Sequence, residues 1–320
     1  MTFLKKGRLW VMSGYLLSAM AVISGCTDKP QESAKRTFPF VTVPTVYADA
    51  VARAEYLAIH YWDNFDFSDT AYVNSASAIT EQAIVDYITV LPYASYNVIV
   101  AGVKHLMDQA EKHPAMYAYF SSKMESYLFD VNSQLRNDEF YIPVLEHLVA
   151  SDSLNEPRKM RPTMLLAALQ KNRPGSQATD IHFTTESGRK ASLYDFQTDY
   201  TLLMFHNLDC GNCKEMTAQI DASDVVKEML KQRKLSIVAI YPGQDIEAWR
   251  KHLSEMPKTW TNGYDHDAEI GKTETYVLRI IPTLYVLDKN HKIVMKDAPF
   301  NYVEFYFNNI LNPQTQVVNR

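Results

Sequence analysis

The stretch from Thr201 to Met216, TLLMFHNLDCGNCKEM, constrains this chain more than any other. An apolar, strand-like run (Leu202, Leu203, Met204, Phe205) leads into Cys210-Gly211-Asn212-Cys213, and a helical pattern follows. A C-x-x-C placed at a strand-to-helix turn implies a definite chemistry. The first sulfur falls at the helix N-terminus, where unpaired backbone N–H groups and the helix dipole stabilise a thiolate. The second stays within bonding reach, so it can resolve a mixed disulfide formed by the first. Cys210 is therefore expected to attack and Cys213 to resolve in thiol–disulfide exchange.

The chain has three cysteines, and Cys26 sits in a different setting. Lys5, Lys6 and Arg8 make a basic start, and Leu9 to Val22 is apolar but short and interrupted for a membrane span. Ile23-Ser24-Gly25-Cys26 closes the segment. This layout resembles a bacterial lipobox. The resemblance implies a signal peptide over residues 1–25, lipidation of Cys26 and a polar tether over residues 26–37. Thr27 after the cysteine favours, by the same resemblance, the outer membrane, with the protein expected to face the periplasm rather than the cell surface. With Cys26 taken by lipid, one closely spaced pair remains, and so small a loop adds little to stability. A zinc site is not expected, because no second C-x-x-C or histidine pair completes four ligands.

At 320 residues the chain exceeds one typical domain, so two are expected. The formal charge is −5, and no basic stripe interleaved with aromatics suggests nucleic acid as a partner. Residues 38–173 read as an all-helical domain. Tyr47, Val51, Ala54, Ala58, Tyr61 and Phe65 recur at helical spacing, as do Ile84, Tyr87, Ile88 and Leu91, then Tyr96, Val100, Val103, Met107 and Ala110. Further faces run through Met116, Phe120, Met124 and Tyr127, through Tyr141, Val144, Leu145 and Leu148, and through Leu165 and Leu169. The many aromatic and methionine residues are assigned to the core. His60, His105 and His147 lack partners at metal-ligand spacing and are expected to be solvated or hydrogen-bonded.

Asn172-Arg173-Pro174-Gly175-Ser176 breaks the helical pattern, and the periodicity changes after it. A hairpin is expected around Glu186-Ser187-Gly188. After the Thr201–His206 strand and the cysteines come a long or broken helix through Met216, Ile220 and Leu230, a strand at Leu235 to Tyr241, and a short helix at Asp245 to Leu253. Strands at Thr283 to Leu287 and Lys292 to Met295 and a helix at Tyr302 to Leu311 close the chain. The order is βαβ, then ββα.

Residues from about Thr179 to Leu311 resemble the thioredoxin fold, in particular the extracytoplasmic thiol–disulfide oxidoreductases of the alkyl-hydroperoxide-reductase-like branch. The match rests on the strand before CGNC, the strand SIVAIYPG, the segment GYDHDAEIGKTETYVLRIIPTLYVLDKNHKIV, and the last helix. Within it, Arg279-Ile280-Ile281-Pro282-Thr283 looks like the family's cis-proline turn. The resemblance implies that Ile281, through its backbone, and Pro282 bind substrate beside the cysteines. Residues 38–173 resemble an uncharacterised domain that precedes thioredoxin-like modules in Bacteroidetes-type lipoproteins, which implies no activity.

The sequence also departs from the family. Met204 stands where many thioredoxins have a buried acid, and Asp209 stands where an aromatic often precedes the first cysteine. Asp209 raises a thiol pKa while the helix terminus and Lys214 lower it. Glu215 and His206 suit structural roles better than proton transfer. A peroxidase setting, Pro-x-x-x-Thr-x-x-Cys, is absent: Leu203 and Asn207 occupy the proline and threonine places. The expectation is an α+β two-domain protein, all-helical over residues 38–173 and thioredoxin-like over residues 174–320. Its resemblance implies a lipid-anchored oxidoreductase that needs no cofactor or metal, reduces exported protein disulfides, and works with an unidentified redox partner. The alternative is a binding lipoprotein in which the thioredoxin fold is only a scaffold.

Overall fold

The computed structural model of the protein describes residues 36–273 and 276–313. The expected signal peptide, Cys26 and all but the last two residues of the tether lie outside the described residues. From Phe38 onward the chain forms one compact unit, helical first and sheet-based afterwards.

The helices are α1 (Ala50–His60), α2 (Ser77–Val90), α3 (Tyr96–Glu111), α4 (Pro114–Leu128), α5 (Asp138–Ala150) and α6 (Glu156–Leu169). Their starts follow from side chains that satisfy the first free N–H groups. Asp49 accepts from Ala52 N–H before α1, Asn137 from Glu139 and Phe140 before α5, and Asn155 from Arg158 before α6. The expected aromatic and methionine core is present, with Trp62, Tyr87, Met107, Phe120, Met124 and Tyr141 buried together. The three histidines pair with acids: His60 (2.7 Å) and His105 (3.1 Å) flank Asp63, and His147 meets Asp108 at 3.1 Å.

Two helix faces differ from expectation. Val51 is 56% exposed and Tyr96 is also exposed, whereas Ala54 and Ala58 of α1 and Ile99, Val103 and Leu106 of α3 are buried. α1 and α3 also approach each other closely. A Cβ on Gly102 of α3 would stand 1.9 Å from the carbonyl oxygen of Ala58, so only small residues fit where the two helices touch. That carbonyl also accepts a 2.9 Å hydrogen bond from Tyr87 of α2, which ties three helices at one point.

A hairpin of β1 (His182–Thr185) and β2 (Lys190–Ser192) opens the second half. Then come β3 (Tyr200–Phe205), α7 (Gly211–Ala222), α8 (Asp224–Lys231), β4 (Leu235–Tyr241), α9 (Ile246–His252), β5 (Thr261–Tyr264), α10 (Glu269–Thr273), β6 (Thr283–Asp288), β7 (Ile293–Lys296) and α11 (Phe300–Leu311). The helix through Met216 and Leu230 is broken at Ser223, whose hydroxyl caps α8 by accepting from Val226 N–H at 3.2 Å. β5 is an addition to the expected order. It pairs parallel to β4 and antiparallel to β1.

The described strands form one sheet in the order β2-β1-β5-β4-β3-β6-β7. Alternation along β3 feeds both faces: Leu202 and Met204 pack with Ile220, Val226, Met229 and Phe307 from α7, α8 and α11, while Leu203 and Phe205 face Val238, Ile240 and Tyr285. Burying Phe300, Val303 and Phe307 of α11 stabilises the docked helix by about 1.5–3 kcal/mol per side chain. β3 runs antiparallel to β6 with Phe205 opposite Thr283. That register brings the end of β3 and the start of β6 to the same end of the sheet, and it sets the site.

Candidate active site at Cys210 and Pro282

After Phe205 the chain turns into α7, and Cys210 is the helix N-cap with extended backbone (φ −115°, ψ 106°). Its sulfur accepts the N–H of Cys213 at 3.1 Å, as a serine or aspartate oxygen would in an ordinary cap. Cys210 and Cys213 are joined in a disulfide. The two sulfurs differ in access. Cys210 is half-buried, whereas Cys213 is 3% exposed in the apolar layer beneath α7 and accepts from Asn207 N–H at 3.5 Å.

Across from the disulfide, the Ile281–Pro282 peptide is cis. The carbonyl oxygen of Ile281 lies 3.7 Å from Cys210 Sγ. The hydroxyl of Thr283 donates to Ile280 O and closes the turn. Ile281 and Pro282 are both partly exposed beside the cysteines. A cleft of about 340 Å³ opens there, lined by Asn212, Met216, Ile280, Pro282, Arg136 and Asp297 among others. Arg136 and Asp297 were not singled out in the sequence, because nothing in their spacing links them to residues 210–213.

Charge around the sulfurs is muted. Lys214, expected to favour a thiolate, is drawn to Glu255 at 3.0 Å, and that pairing holds the Glu255 carboxyl below the usual range. Met204 is fully buried in the apolar layer, so no carboxylate lies at the place many relatives use. His206 is buried and stacks on His252 with ring centroids 5.7 Å apart. Burial first, then the neighbouring His252, pushes the His206 pKa down to about 4, and its Nε2 has no hydrogen-bond partner. At neutral pH His206 is therefore an uncharged packing residue.

The fold, with the helical half included, is similar to the crystal structure of a thioredoxin-like protein from Bacteroides caccae ATCC 43185. The two are 38% identical with a TM-score of 0.82, over 85% of this chain and 98% of that one. The chain belongs to this thioredoxin-like family. Residues 197–293 match the thioredoxin-like family, and residues 21–172 match a domain of unknown function, DUF5106. The C-terminal domain of an uncharacterized protein from Bacteroides fragilis NCTC 9343 is 42% identical over 43% of this chain and 98% of that one, with a TM-score of 0.42. The thioredoxin domain of a thiol-disulfide oxidoreductase from Bacteroides vulgatus is 24% identical over 42% of this chain and 99% of that one, with a TM-score of 0.38. A comparison with curated proteins found no match. Within the thioredoxin-like half, Cys210, Cys213, Ile281 and Pro282 meet at one end of the interior strands β3 and β6, and Glu215 lies on the rim of the same cleft. Among the described residues no helix is long and apolar enough to cross a membrane.

Proposed function

We propose that this thioredoxin-like protein is a thiol–disulfide oxidoreductase that reduces disulfides of exported proteins, held in the cell envelope by a lipid on Cys26 and facing the periplasm from the outer membrane. The observation that carries the reading is the placement of the disulfide: the more exposed Cys210 Sγ caps a helix and lies 3.7 Å from the carbonyl of Ile281. In the reduced protein the Cys210 thiolate attacks one sulfur of a substrate disulfide. A Cys210–substrate bond forms, and the other substrate sulfur leaves as a thiolate that takes up a proton. Cys213, after losing its proton, attacks Cys210 Sγ and expels the second substrate thiol. The substrate gains two electrons and two protons, and the protein returns to its disulfide. An external dithiol protein must then reduce it again.

Reduction is favoured over oxidation by the local charges. Strong oxidants of this chemistry owe their potential to a stabilised reduced form. Here the helix terminus acts with Lys214 engaged by Glu255, and an acidic residue, Asp209, directly precedes Cys210 in the chain. The test uses the full-length protein and a disulfide-bonded polypeptide. Cys210→Ser abolishes turnover, and Cys213→Ser accumulates a covalent adduct through Cys210, visible by non-reducing mass spectrometry. Full turnover by either single variant would overturn the assignment.

A further inference from the structure

The helical half reaches the cis-proline loop through a cluster of largely buried charged side chains, each between 5% and 19% exposed. Arg279, three residues before Pro282, donates from Nη1 to Asp138 Oδ1 at 2.7 Å and from Nη2 to Asp297 Oδ2 at 3.1 Å. Its guanidinium lies over the ring of Phe129, 4.5 Å from the centroid. Lys296 meets the other Asp138 oxygen at 3.1 Å, and Arg136 meets Asp297 at 3.2 Å. Asp138, Arg136 and Phe129 come from the helical half at and before the start of α5. Arg279, Lys296 and Asp297 come from the thioredoxin-like half. Val277, on the same run into the loop, packs against the helical core.

A buried cluster of three cations and two carboxylates is a poor device for stability alone, because desolvation offsets much of its attraction. What it does supply is direction. The planar guanidinium of Arg279 is gripped on two edges and one face, which fixes its position within narrow limits. The backbone it holds continues straight into Ile280 and Ile281, whose carbonyl stands against Cys210. Arg136 also lines the cleft beside the disulfide, and that cleft shares Arg136, Asp297, Ala298 and Pro299 with a larger one of about 840 Å³ between the two halves.

We infer that the helical half is part of the substrate site: Asp138 positions the Ile281–Pro282 loop through Arg279, and Arg136 walls the cleft that receives the residues flanking a substrate cysteine. The ligand class is an extended polypeptide segment carrying a disulfide. This rests on the exchange reading above.

The test compares two disulfides in single-turnover reactions of the pre-reduced full-length protein. One is 5,5′-dithiobis(2-nitrobenzoate), which needs only a reachable sulfur, and the other is a disulfide-bonded polypeptide, which must also lie along the loop. In Asp138→Asn the ratio of polypeptide rate to small-disulfide rate falls roughly ten- to hundredfold, the scale of misplacing a reacting group by about an ångström. Arg279→Lys, which keeps the charge and loses the two-pronged contact, falls in between. Should Asp138→Asn not fold, Arg136→Gln decides by the same ratio. An unchanged ratio in folded variants overturns the inference and leaves the exchange chemistry standing. A wild-type protein that reduces neither disulfide overturns both.

Discussion

Cys210 Sγ and the carbonyl oxygen of Ile281 lie 3.7 Å apart although 71 positions separate them in the chain. The antiparallel register of β3 and β6 brings them together, since the last residue of β3 faces the first of β6. The reactive sulfur thus sits beside the backbone of the cis-proline turn.

The pairing of Lys214 with Glu255 predicts a shift in the reactive thiol. In Glu255→Gln the Lys214 ammonium is released and one carboxylate is lost, and both changes favour the thiolate. The pKa of reduced Cys210, read from the pH dependence of iodoacetamide alkylation, falls by about 0.3–1 unit at low salt and by less in about 1 M salt. A rise, or no change at low salt, would contradict this picture of the site.

Burial of His206 predicts a pH dependence of stability. Its folded pKa of about 4 lies below the ordinary 6.5, so between those values the unfolded chain binds a proton that the folded protein refuses. Stability is full above about pH 6.5 and declines as pH falls toward 4, by about 3 kcal/mol from this residue. Urea unfolding at pH 7 and pH 4.5 checks it. The loss on acidification is smaller in His206→Phe than in wild type, and equal losses would place the effect elsewhere.

The contact of α1 with α3 predicts the cost of one methyl group. Gly102→Ala drives a Cβ against Ala58 O and displaces the hydrogen bond from Tyr87. The helices must separate, at a cost of about 2–4 kcal/mol in unfolding free energy. A loss below about 0.5 kcal/mol in urea unfolding would mean that the helices are free to shift apart.

Much of the fold and site is legible in the sequence. The run Leu202 to Phe205 is apolar at every position because β3 is buried on both faces, and Cys210 follows at the turn such a strand requires. Pro282 could be placed by its resemblance to a known turn. β5 carries little sequence signal because Asn262-Gly263 at its centre is a pair depleted in strands. Its neighbours and the space left by Gly263 hold it: a Cβ there would come within 2.3 Å of Phe183. Val51 falls on the apolar repeat of α1 yet is exposed, because periodicity reports apolarity and not burial. The Arg279–Asp138 pair joins residues 141 positions apart, and no local pattern encodes such a partner.

The most direct test is the reduction potential of the Cys210–Cys213 pair in the full-length protein, equilibrated in defined thiol/disulfide buffers and read by mass spectrometry. A value of about −270 mV is expected, where reductants such as thioredoxin lie. A value near about −120 mV would make the protein an oxidant, and a pair that exchanges with no buffer would leave the fold a binding scaffold.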